Sequence, residues 1–156
     1  MSLLYPELAR ADGLILATPV YYGTVTGLLK DFMDRTEPLS RYGKTAYRAA
    51  LKDKIGGAIA VGANRHGGQE TTLQTIQHFF FIQDLIVVGT STTGAPGCYL
   101  GAGATTHPEK GRNPKAVEQD ELGLNAAFAL GRRVAEVAAW IRRGREGGTN
   151  LVRFLS

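Results

Sequence analysis

Two short stretches hold the residues whose types and spacing could do chemistry. The first is Thr18-Pro19-Val20-Tyr21-Tyr22-Gly23-Thr24-Val25-Thr26. Pro19 fixes one backbone angle, Gly23 permits a tight turn, and the two tyrosines offer an aromatic wall to a planar ligand. The same residues also describe a plain strand–helix turn, with Thr24 as helix N-cap and both tyrosines at the surface. The second stretch is Val61-Gly62-Ala63-Asn64-Arg65-His66-Gly67-Gly68-Gln69-Glu70-Thr71-Thr72. Its small residues let a ligand approach the main chain, whose N–H groups can donate to it. Arg65 and His66 add polar or cationic contacts. The competing reading is a flexible turn with Arg65 and His66 in solvent.

Most other chemistry is excluded. There is no GxxxxGK phosphate loop, no GxGxxG after a strand and no GxSxG nucleophile elbow. His66, His78 and His107 are spaced too irregularly for a metal site, and no metal is expected. The single cysteine, Cys98, cannot make an internal disulfide, a zinc site or an iron–sulfur site, and a reducing cytoplasm is the natural setting. Asp34 beside Arg35 reads as a structural ion pair or cap. The net charge of +4 reflects Arg132, Arg133, Arg142, Arg143 and Arg145 late in the chain, a solvated basic face. Without interleaved aromatics or a reading helix, these do not indicate nucleic-acid binding. No apolar run is long enough for a membrane span, and the first residues lack the features of a signal peptide. Hydrophobic residues at 44% and charged residues at 21% fit a globular protein.

The elements that must position the two loops follow from hydrophobic pattern. Gly13–Thr18, Ile55–Val61 and Leu85–Gly89 are continuous apolar runs rather than alternating ones, as strands of a parallel sheet covered on both faces require. Helical spacing marks Val25–Met33, Thr71–Phe81 and about Gln119–Arg143. The last carries Leu122, Leu124, Ala126, Ala127, Leu130, Val134, Val137, Ala138 and Ile141 on its expected apolar face. Leu4–Arg10 reads as the tail of a helix. The order β-α-β-α-β-loop-α indicates right-handed βαβ units in an α/β fold. Ligands of such sheets bind beyond the carboxyl ends of the strands, where both loops fall. Glu37–Lys54 and Ser91–Lys115 are expected as long loops, and residues 144–156 as an extra strand or a flexible tail on one domain spanning 1–156.

Thr18 to Gly23, followed by Gly27-Leu-Leu-Lys-Asp-Phe-Met-Asp34-Arg35, resembles the ring-binding loop and helix of the NADPH-dependent FMN reductase and flavodoxin superfamily. His66-Gly-Gly-Gln-Glu-Thr-Thr-Leu73 resembles the tryptophan-repressor-binding-type NAD(P)H:quinone oxidoreductases. Asp120–Leu124 through Leu130–Ala135 looks like the last helix of the superfamily.

The resemblance implies a flavodoxin-like three-layer fold with a parallel sheet in order 2-1-3-4-5. The visible strands would be the third to fifth, an N-terminally truncated form lacking the phosphate-binding unit. It also implies FMN and NAD(P)H as cofactors. Thr18, Pro19, Val20, Tyr21, Tyr22 and Gly23 would line the isoalloxazine ring. Val61, Gly62, Ala63, Asn64, Arg65, Gly67 and Gly68 would meet its pyrimidine edge through the main chain. His66 would face the substrate as the catalytic side chain. Hydride would pass from NAD(P)H through the flavin to a quinone or similar acceptor in a ping-pong cycle, chemistry that the flavin carries without protein acid–base machinery. Family members are commonly homodimers or homotetramers. The quinone reductases place a histidine pair where Ile82-Gln83 stands here. Related iron–sulfur flavoproteins carry a cysteine cluster before the third strand, which this sequence does not have, so no cluster is expected. The alternative is a non-catalytic flavodoxin-like module acting in protein–protein assembly.

Overall fold

The computed structural model describes residues 3–90, 99–106 and 114–146. In chain order the elements are α1 (Tyr5–Arg10), β1 (Gly13–Pro19), α2 (Gly27–Asp34), a 3-10 turn at Glu37–Leu39, β2 (Ile55–Gly62), α3 (Gln69–Ile82), β3 (Ile86–Val87), β4 (Ala102–Thr105), a 3-10 segment at Pro114–Gln119 and α4 (Glu121–Glu146). All strand pairs are parallel. β1 pairs with β2 from Gly13↔Ile55 to Pro19↔Val61. The other edge of β2 is shared: β3 takes its start at Ile55 and Gly56, and β4 takes its end from Ile59 to Gly62. This is the flavodoxin-like α/β fold expected from the sequence.

The central strand explains the three layers. Along β2, successive side chains point to opposite faces. On one face α3 comes so close that a Cβ at Gly56 would lie 2.8 Å from the Phe80 ring. On the other, a Cβ at Gly57 would lie 2.9 Å from Val134 of α4. Glycine and alanine in β2 therefore set the helix–sheet distance on both sides. The α3 side is filled by Leu16, Val25, Met33, Leu39, Leu51, Leu73, Ile76 and Phe80. The α4 side is filled by Ile55, Ala102, Ala126, Leu130, Val134 and Val137. Each fully buried large side chain among them contributes about 1.5–3 kcal/mol. At the opposite end of the sheet from the two loops, Lys54 donates to the carbonyls of Ala9 and Ala11, fastening the end of α1 to the start of β2.

Several expectations need correction. The loop expected over Ser91–Lys115 contains β4. Ala102-Gly103-Ala104-Thr105 has little β-propensity of its own and forms a strand through pairing with β2. Small residues are required there, because a Cβ on Gly123 of α4 would lie 2.5 Å from that of Ala104. The strand expected at Leu85–Gly89 shrinks to Ile86–Val87, since Leu85 N–H still bonds to Phe80 O and closes α3. Glu37–Lys54 is not structureless: Leu39 and Leu51 are fully buried in it. α4 continues to Glu146, so Gly144 to Glu146 are helical rather than tail. Leu122 and Leu124 are exposed rather than on the packed face of α4. Residues 147–156, Cys98 and His107 lie outside the described residues.

Candidate functional site

The site is built where β1, β2 and β4 end. Val20 N–H donates to Val61 O at 2.8 Å, so the two loops leave the sheet side by side. The first then folds into a tight hairpin in which Tyr21 and Thr24 exchange backbone hydrogen bonds of 3.1 and 3.2 Å. Its central residues, Tyr22 and Gly23, have φ of 51° and 80°. That is the primed turn whose twist suits a hairpin, and glycine supplies half of it without strain. Tyr22 stands fully exposed at the tip and Tyr21 is largely exposed beside it. The helix N-cap is Thr26, not Thr24: its Oγ1 accepts from Leu29 N–H at 3.3 Å, while Thr18 Oγ1 lies 3.3 Å from the same oxygen. Thr18 is thus buried under the hairpin and fixes it, without presenting itself to a ligand.

The second loop lies against the first. Gly68 has φ of 101° and caps α3, and a Cβ there would come 2.5 Å from Gly23 Cα and 2.8 Å from Gly23 O. Two glycine backbones are therefore in contact, and the loops form one surface. Ala63, Asn64, Arg65 and His66 are exposed on it. Among the described residues, their backbone N–H groups meet no hydrogen-bond acceptor. A ligand edge carrying carbonyl or ring-nitrogen acceptors would match this row of donors. Gly62 is buried and faces α3, and the half-buried Val61 faces the α4 side. Both belong to the end of β2.

Three residues not among the expected ligand contacts hold the surface in place: Gln69, at the end of the second stretch, and Thr105 and Asp120, outside both. Gln69 is buried under the second loop. Its Oε1 accepts from Gly67 N–H at 2.8 Å, and its Nε2 donates to Asn64 O at 2.6 Å and reaches Ala104 O at 3.4 Å. Asp120 accepts from Thr105 N–H at 2.8 Å and Gly123 N–H at 3.0 Å, joining the end of β4 to the start of α4. Thr105 Oγ1 donates to Ala63 O at 3.0 Å. A Gln directly after a Gly-Gly pair was a visible signal for the first. The other two depend on β4, which the sequence concealed.

Other candidates fall elsewhere. Asp34 pairs with Lys30 at 2.6 Å rather than with Arg35. Ile82 is exposed at the far end of α3, and Gln83 is buried there with its Nε2 directed at Thr36, so neither belongs to the loop surface. Among the described residues no group of three or more His, Cys, Asp or Glu side chains could hold a metal ion. No described helix is long and apolar enough to cross a membrane.

Comparison with known proteins shows the family. An iron–sulfur flavoprotein of Methanocaldococcus jannaschii is 44% identical over 137 residues, covering 88% of this chain and 64% of its own length. An NAD(P)H dehydrogenase (quinone) of Acidithiobacillus ferrooxidans is 34% identical over 140 residues, covering 84% of this chain and 64% of its own length. The chain thus spans just under two thirds of these relatives. Among solved structures, the flavodoxin, WrbA-like protein from Agrobacterium tumefaciens superposes with a TM-score of 0.61 over 87% of this chain and 71% of that one, at 22% identity. The family model for NADPH-dependent FMN reductase matches residues 1–97, the stretch that carries both loops. The chain belongs to the NADPH-dependent FMN reductase family.

Proposed function

We propose that the joined loops bind the isoalloxazine ring of FMN and that the chain works as an NAD(P)H-dependent flavin oxidoreductase with a quinone or similar acceptor. The observation that carries this reading is the contact between Gly23 and Gly68. It sets two exposed tyrosines beside a row of main-chain donors that no described residue accepts from. A planar ring with a polar edge needs that combination of an apolar wall and convergent N–H groups. FMN, when bound, would supply the hydride-accepting and hydride-donating chemistry. The chain's own residues would do the rest. Tyr21 and Tyr22 would wall the ring, Ala63 to His66 would donate to its pyrimidine edge, and the His66 side chain would face the incoming acceptor. The relatives named as flavoproteins and as quinone dehydrogenases support both the cofactor and the acceptor class.

The direct test is anaerobic mixing of NADPH with the FMN-loaded chain, followed by a benzoquinone. Bleaching of flavin absorbance by NADPH and its return on quinone addition are expected. FMN-loaded protein that neither bleaches nor recovers would refute the oxidoreductase reading.

A second reading, assembly with another polypeptide, is favoured by one feature. Among the described residues, β1 has no strand on its outer side, and Ile15, Ala17 and Pro19 are exposed on one face of it. An uncovered strand edge is a template for pairing. Association into homodimers or homotetramers would cover it, and sedimentation of the purified chain decides whether it occurs.

A further inference from the structure

We infer that Gln69 is the positioning residue of the flavin seat: its carboxamide fixes the direction of the main-chain donors that the preceding reading assigns to the ring. The inference rests on that reading and adds a residue to it. Gln69 opens α3 and is more than nine-tenths buried. It uses both ends of its amide within one turn of chain, accepting from Gly67 N–H and donating to Asn64 O. The remaining donor hydrogen reaches Ala104 O on β4. The amide lies flat on the end of β2, where a Cβ on Gly62 would come 2.5 Å from Nε2. One side chain thereby ties the turn from Asn64 to Gly67 to two neighbouring strands. The donors of Ala63 to His66 lie within or beside that turn, so their direction is set by a group that does not itself touch the ligand.

The chemistry demands an amide. A carboxylate at this site would still accept from Gly67 N–H but would oppose the carbonyl oxygens of Asn64 and Ala104. A protonated carboxyl would restore one donor. Glu in place of Gln therefore converts a constant positioning group into a pH-dependent one, and a simple packing role would not produce that signature.

The experiment compares Gln69→Leu and Gln69→Glu with the unaltered chain. FMN affinity is read by fluorescence quenching at about pH 8 and about pH 5, with each variant expressed as a ratio to the unaltered chain at the same pH. Amide hydrogen exchange of the FMN-free proteins is read alongside, with Ala58 and Ala60 in β2 as the control for folding. Gln69→Leu is expected to weaken FMN binding roughly tenfold at both pH values. It should speed exchange at Gly67 while Ala58 and Ala60 stay protected. Gln69→Glu is expected to match that loss at the higher pH and to recover most of it at the lower. Unaltered FMN affinity in Gln69→Leu, or a Gln69→Glu ratio that does not change with pH, overturns the inference while leaving the flavin reading intact. An unaltered chain that binds no FMN overturns the flavin reading itself, and this inference with it.

Discussion

The contact between Gly23 and Gly68 can be broken with one methyl group. At Gly68 two effects add. Its φ of 101° is a conformation that L residues adopt at a cost of about 1–2 kcal/mol. The new Cβ would also lie 2.5 Å from Gly23 Cα and 2.8 Å from Gly23 O. Both are backbone atoms, so no rotamer change relieves the overlap, and forced overpacking costs about 1–3 kcal/mol. Gly68→Ala should therefore destabilise by about 3 kcal/mol, a fall in melting temperature of about 6–12 °C for a chain of this size. The hairpin from Tyr21 to Thr24 would be pushed off the second loop, so FMN affinity should fall as well. Gly27→Ala is the matched control. Its Cβ would meet nothing within 4 Å at the first position of α2, and alanine is the better helix former, so stability should hold or rise slightly. Melting curves and FMN titrations of the three proteins decide the matter. Gly68→Ala with unchanged melting and unchanged affinity would refute the claim that the two loops form one surface.

Three further outcomes are expected. Asp120→Ala removes the acceptor of both Thr105 N–H and Gly123 N–H and should cost about 1–3 kcal/mol, seen in thermal unfolding. Burial holds the Lys54 pKa below its ordinary 10.5, with Arg145 adding to the shift and Asp12 opposing it. In the window just below 10.5 the unfolded chain still binds the proton that the folded chain has released, so stability should rise with pH there. Lys54→Met should remove that rise, and an identical slope in the variant would contradict the assignment. His66→Ala should leave melting and FMN affinity unchanged, because the side chain is exposed and no described group bonds to it, but should slow reoxidation by a quinone in stopped-flow traces.

Much of the fold was legible because β2 is an uninterrupted run of small and apolar residues. A strand covered on both faces carries that pattern, and it placed both loops at the carboxyl end of the sheet. β4 was illegible for the opposite reason. Ala102 to Thr105 has no β-branched residue before Thr105, because α4 needs small residues there, and its pairing partner lies about forty residues away in sequence. The exposed Leu122 and Leu124 misled the helical pattern, since apolar spacing does not say which apolar residues a partner covers. Within the site, the tyrosines and glycines were visible by type. Gln69 stood in view beside the Gly-Gly pair, but its bonds to Asn64, Gly67 and Ala104, like those of Asp120 to Thr105 and Gly123, leave no periodicity to read.

The proposed flavin seat stands on the two loops joined through Gly23 and Gly68. Titration of the chain with FMN and, in parallel, with lumiflavin, the same ring without ribityl phosphate, tests it most directly. Saturable fluorescence quenching by both ligands is expected in the unaltered chain and should be lost in Gly68→Ala. Absence of quenching with both ligands in the unaltered chain would contradict the proposed seat.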